Sequence, residues 1–134
     1  MGPMPEGAPQ PASPLRILVA EDESALLEVT TEVLGRAGFE VVQAENGALA
    51  LERFAEAPDS FALVILDFSM PIMDGAQCLA SLREIRPEVK VLLTSGHGHL
   101  EDTLDPSLLA GCLQKPYRIH ELIDAVKRIL EGQG

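Results

Sequence analysis

Positive charge is scarce in this chain: 10 lysines and arginines stand against 21 aspartates and glutamates, a net charge of −11. A long cationic footprint for nucleic acid is thereby excluded, because phosphate backbones are gripped by clustered Lys and Arg. Long apolar runs are also missing. The longest aliphatic stretches, 17–20 and 61–66, fall far short of the roughly 18 residues that a membrane span needs. The N-terminal stretch carries no Lys or Arg before Arg16 and no apolar segment, so it does not read as a secretory signal, and the cytoplasm is the expected location. Cysteine is limited to Cys78 and Cys112, with no C-x-x-C pair. Both are expected to be reduced, buried thiols that pack as small hydrophobes, not parts of a disulfide or zinc frame.

What is present is a core. The chain is 46% hydrophobic over 134 residues, and a single domain of that size buries about two-thirds of the surface its unfolded chain exposes. Residues 1–14 are different in kind: they hold five of the 10 prolines and one charge, Glu6, and are expected to be a disordered tail or linker. Residues 15–134 are expected to be the folded domain. Within it, short aliphatic runs alternate with helical periodicity, the pattern of repeated βα units around a parallel sheet. Strands are expected at 16–20, 40–44, 61–67, 89–95 and 112–114. Helices are expected after Asp22-Glu23-Ser24, with Leu26, Val29, Val33, Leu34 and Ala37 inward and Gly38 as the stop, then behind the cap Asn46, at 75–85 and at 119–130. In the last of these, Leu122, Ile123, Val126, Ile129 and Leu130 should face the core. Only 16 residues, 96–111, separate the fourth strand from the fifth, so a helix there must be short or broken.

Right-handed crossovers put helices on both faces of such a sheet, with a ligand crevice at the carboxyl ends of the strands. Four strand ends carry polar residues: Glu21 and Asp22, Asp67, Ser95 and Lys115. Taken singly, each has a bland reading, as a helix cap, a turn residue or a solvated charge. Taken together, three carboxylates in one crevice repel one another unless a cation or a shared proton compensates. Oxygen ligands without His or Cys select a hard ion, and an incomplete cage suits Mg²⁺, with Mn²⁺ as an equivalent. A strand-end carboxylate can act as nucleophile toward phosphorus, and a hydroxyl and an ammonium can serve the transferring oxygens. Phosphoryl transfer to Asp67 is the chemistry expected.

These residues resemble the receiver domain of bacterial two-component response regulators. The resemblance runs from about Leu15 to Glu131, and its most specific piece is Leu63-Val64-Ile65-Leu66-Asp67-Phe68-Ser69-Met70-Pro71-Ile72-Met73-Asp74-Gly75. Val19-Ala20-Glu21-Asp22-Glu23, Leu92-Leu93-Thr94-Ser95-Gly96 and Gln114-Lys115-Pro116-Tyr117 support it. The resemblance implies a flavodoxin-like (βα)5 doubly wound, five-stranded parallel sheet. It implies Asp67 as phosphoacceptor, Glu21 and Asp22 as the acidic pair, and the Ser69 backbone carbonyl as a metal ligand. Ser95 becomes the switch hydroxyl, with Thr94 as runner-up, Lys115 the phosphate-pairing lysine, and Lys115-Pro116 a cis peptide. It also implies a histidine kinase or histidine phosphotransfer protein as phosphodonor, an output partner that the chain does not name, no direct contact with nucleic acid or membrane, and a monomer or weak dimer that assists its own phosphorylation and dephosphorylation without being an enzyme. The strings at 92–96 and 112–117 lean toward a receiver of the hybrid-kinase kind.

Two departures from the family pattern stand out. Cys112 occupies the place of an aromatic whose inward swing reports phosphorylation, and the 96–111 segment is short where a full helix is usual. A haloacid-dehalogenase-like phosphatase is the enzymatic rival, but it wants a second Asp two residues after the nucleophile, where this chain has Ser69. A phosphorylation-independent interaction module is the other rival, and the intact Asp67, Lys115 and acidic pair count against it. His97 and His99 with Glu101 and Asp102 read as solvated loop residues before they read as a metal clip.

Overall fold

The computed structural model describes residues 15–68, 75–96 and 109–131. In chain order these form β1 (Arg16–Ala20), α1 (Ser24–Arg36), β2 (Glu40–Ala44), α2 (Gly47–Glu56), a 3-10 turn (Pro58–Ser60), β3 (Phe61–Asp67), α3 (Gly75–Ile85), β4 (Val91–Ser95), β5 (Gly111–Gln114) and α4 (Ile119–Glu131). All five strands are parallel in one sheet of order β2-β1-β3-β4-β5. The expected fold is therefore present, with four helices among the described residues. The expected short or broken helix before β5, the tail 1–14, Ser69, Asp74 and the His97/His99 pair lie outside them.

The alternation of side chains along each strand divides the core into two layers. Leu18, Ala20, Val64, Leu66, Val91 and Leu93 meet Ala50 and Phe54 of α2 and Cys78, Leu79 and Leu82 of α3. Ile17, Val19, Leu63, Ile65 and Leu92 meet Leu27 and Leu34 of α1 and Leu122, Ala125 and Val126 of α4. β3 is apolar at every position before Asp67 because both of its faces are covered, as central parallel strands require. Local signals then punctuate the chain. Asn46 caps α2 by accepting from the Leu49 N–H at 2.8 Å. α1 ends where Gly38 takes φ 102°, with Gly38 N–H donating to Gly35 O and Phe39 N–H to Leu34 O. That pairing satisfies carbonyls that the helix itself leaves open.

Five expectations need correction. The buried stripe of α1 is Leu27, Thr30 and Leu34, while Val29 is 47% exposed and Ala37 lies past the helix as its cap. Apolar residues at 26, 27, 29, 33 and 34 span an arc of about 160° on this helix, and packing against the sheet chooses which part of that arc turns inward. β4 begins at Val91, not at 89: Val89 is buried but closes a turn through its N–H to Arg86 O. β5 gains Gly111 at its start, and Ala125 joins the inward face of α4, where Ile123, Ile129 and Leu130 are only partly buried. Of the two thiols, Cys78 is buried and Cys112 is exposed, because β5 is an edge strand.

Candidate phosphoacceptor site

Strand register brings the polar residues together. Ala20 pairs with Leu66 and Asp67 with Thr94, so β1, β3 and β4 end side by side, and Ser95 opposite Gln114 brings Lys115 to the same rim. Each residue at the rim is pinned by backbone bonds. Glu21 N–H donates to Ala44 O at 3.0 Å, Phe68 N–H to Thr94 O at 2.8 Å, and Lys115 N–H to Ser95 O at 2.6 Å. The Lys115–Pro116 peptide is cis, as the resemblance implies.

Carboxylate oxygens of Glu21, Asp22 and Asp67 all lie within 4.8 Å of one another, with Glu21 and Asp67 buried and Asp22 exposed. The Lys115 ammonium donates to Glu21 Oε1 at 3.2 Å and Oε2 at 3.4 Å, and to Asp67 Oδ2 at 3.2 Å. Ser95 is buried at the end of β4, next to Thr94, also buried. The structure thus gathers Glu21, Asp22, Asp67, Ser95 and Lys115 at one rim. Two contributors had no place in the sequence reading: the Glu23 N–H, which donates to Glu21 Oε2 at 3.1 Å, and Tyr117, which follows Lys115 and is half-buried beside it. The Glu23 contact follows a turn geometry that only coordinates reveal, whereas Tyr117 stood in a quoted motif without a role.

The charges strain one another. Burial pushes the Glu21 carboxyl up to about 7, the Asp67 charge adds to this, and the Glu23 N–H and Lys115 hold against it. Burial pulls the Lys115 ammonium down, but the Asp67 and Glu21 charges and the hydrogen bonds to both outweigh it, leaving the group above its ordinary value. Fully ionised, three carboxylates against one ammonium leave two negative charges uncompensated, which a divalent cation would neutralise. An all-carboxylate donor set without His or Cys fits a hard ion such as Mg²⁺, and Glu21, Asp22 and Asp67 form one group whose oxygens could hold it.

A family model for the response regulator receiver domain matches residues 17–127. The chain belongs to that family. This receiver domain is 33% identical over 117 residues to the response regulator receiver protein CpdR of Brucella abortus, covering 86% of this chain and 96% of CpdR. It is 35% identical over 121 residues to the sensor kinase CckA of the same organism, covering 87% of this chain and 13% of the kinase. Among solved structures, that of the response regulator TrrA of Thermotoga maritima in complex with Mg²⁺-BeF superposes with a TM-score of 0.78 at 32% identity, covering 87% of this chain and 99% of that one. As a receiver domain, the protein is a phosphoacceptor of two-component signal transduction. The phosphatase alternative finds no support in these relatives.

Proposed function

We propose that Asp67 is the phosphoacceptor, and that the donor is the phosphohistidine of a histidine kinase or of a histidine phosphotransfer protein. One observation carries this: Asp67, buried at the end of the central strand, shares a rim with two further carboxylates within 4.8 Å and an ammonium at 3.2 Å. A carboxylate oxygen of Asp67 attacks phosphorus, the P–N bond of the donor breaks, and its electron pair returns to the imidazole. Lys115 pairs with a phosphoryl oxygen as the charge on Asp67 is taken up by the new bond, and the Ser95 hydroxyl donates to another. Asp22, Asp67 and the Ser69 carbonyl would hold Mg²⁺ or Mn²⁺, with Glu21 acting through a bound water. The ion supplies charge neutralisation for the transferring oxygens.

In this reading the protein is no turnover enzyme but a switch that assists its own phosphorylation and dephosphorylation. Residues 15–134 form the receiver unit and 1–14 a tail or linker. A cytoplasmic location goes with the proposed histidine-kinase donor; among the described residues no helix is long and apolar enough to cross a membrane. The receiver is a monomer or weak dimer that hands its state to a protein partner, and the −11 charge argues against direct nucleic-acid contact. The test is phosphate incorporation from acetyl phosphate with Mg²⁺. Asp67→Asn should abolish it, and incorporation persisting in that variant, for example on the nearby Asp74, would overturn the assignment.

A further inference from the structure

Lys115 is held by hydrogen bonds at its root and at its tip. Its backbone N–H is bonded to Ser95 O at 2.6 Å, and its ammonium stands 3.2 Å from both Glu21 Oε1 and Asp67 Oδ2. Between them runs a flexible four-carbon chain, which tolerates many rotamers. Beside that chain opens a cavity of about 420 Å³ lined by Glu23, Leu26, Gly96, Lys115, Pro116 and Tyr117. That volume is what remains with the Tyr117 ring in place, and widening it by removing the ring would give the lysine stem more room to swing out of line.

Among the described residues of this lining, Tyr117 is the one large aromatic side chain. It is half-buried and packs against the core layer shared by α1 and α4, which anchors its ring. It is also near the rim: burial first, and then the Glu21 charge, push its phenol up to about 12, with Asp67 and Lys115 acting on it as well. We infer that Tyr117 is a positioning residue for phosphoryl transfer, its ring narrowing the cavity beside Lys115 so that the ammonium stays between Glu21 and Asp67. Tyr117 does not touch the reacting atoms; it acts through Lys115. The inference rests on the proposal that Asp67 is the phosphoacceptor. Misplacing a charge-stabilising group by about 1 Å can cost on the order of a hundredfold in rate, so a loosened ammonium should register in phosphorylation before it registers anywhere else.

The experiment is a double-mutant cycle read by the rate of phosphate incorporation from acetyl phosphate at saturating Mg²⁺. Tyr117→Ala should lower the maximal rate about tenfold while leaving the half-saturating acetyl phosphate and the Mg²⁺ affinity within about twofold, since a lysine stem binds neither. Tyr117→Leu, which keeps apolar packing and guards against a folding defect, should show the same loss, and Tyr117→Phe should restore the rate because the ring and not the hydroxyl does the positioning. In a Lys115→Ala background, Tyr117→Ala should cost nothing further. Losses that simply add, a full rate in Tyr117→Leu and Tyr117→Ala, or a parallel fall in Mg²⁺ affinity would each overturn the inference and return Tyr117 to the role of a core side chain. Asp67→Asn keeps the two readings apart: incorporation surviving in it overturns the phosphoacceptor assignment, whereas additivity with Asp67 intact overturns the role of Tyr117.

Discussion

Along β3, residues 61–66 are apolar and the strand's two faces meet apolar partners, whereas the next residue, Asp67, meets two carboxylates and an ammonium while being almost as buried. Leu66 is 0% exposed and Asp67 is 3% exposed. Burial therefore has opposite consequences one residue apart. In the body of the sheet it removes apolar surface from water and stabilises by about 25 cal/mol per Å². At the rim it strips water from charges that repel, which destabilises the fold and raises the Glu21 carboxyl to about 7. The body holds the rim in place, and the rim keeps its charges because phosphoryl transfer requires them.

The contrast can be broken from either side. The largest effect on stability should come from the body: Leu66→Ala leaves a cavity in the layer over α2 and α3 and should cost about 3 kcal/mol, measured by urea denaturation. At the rim the sign should reverse. Because the folded Glu21 carboxyl binds its proton up to about pH 7 and an unfolded one only to about 4.5, the metal-free protein should lose stability as pH rises from 4.5 to 7 and change little above. Glu21→Gln should remove that slope and make the protein about 2 kcal/mol more stable than the parent at pH 8 without metal. Lower stability of Glu21→Gln at that pH would mean that its pairing with Lys115 outweighs the cost of burial.

A smaller effect is expected at Asp22, which is exposed and adds little to the buried repulsion. Asp22→Asn should weaken Mg²⁺ binding about tenfold or more by calorimetry, since even a change in a ligand's hydrogen-bond partner costs on the order of 10–100-fold, yet it should barely move the unfolding midpoint. The smallest effect belongs to the edge. Cys112 is exposed on β5, so Cys112→Tyr should stay within about 0.5 kcal/mol of the parent. Iodoacetamide at pH 8 should label Cys112 and spare Cys78, whose thiol burial pushes up to about 11.

Much of this was legible in the residues. The runs 16–20, 40–44 and 61–67 mark their strands with correct bounds because each is rich in β-branched and aliphatic residues, too short for a helix and set off by turn or capping residues. Asn46 and Gly38 mark a helix start and a helix end because their chemistry is local: one side chain accepts a specific N–H, and one backbone takes a positive φ. The site was legible for a similar reason. Asp67 and Ser95 end their strands, Glu21 and Lys115 directly follow theirs with Asp22 next to Glu21, and a parallel sheet gathers all its carboxyl ends on one edge.

What failed was whatever depends on a neighbour distant in sequence. The rotation of α1 could not be read from Leu26, Leu27, Val29, Val33 and Leu34, since they form one broad apolar arc and only contact with Ile17, Val19 and the α4 side chains selects its Leu27 and Leu34 edge. The exposure of Cys112 follows from β5 being the last strand of the sheet, a fact of topology and not of the residues around it. By itself the sequence determined the order of elements, the positions of the strand ends and the kind of chemistry that their residues can perform, because each rests on local periodicity or on side-chain type. Only the tertiary structure decided the phase of α1, the strained charge of Glu21 and the placing of Tyr117 beside Lys115, because burial and electrostatic coupling are set by groups that the chain brings together only on folding.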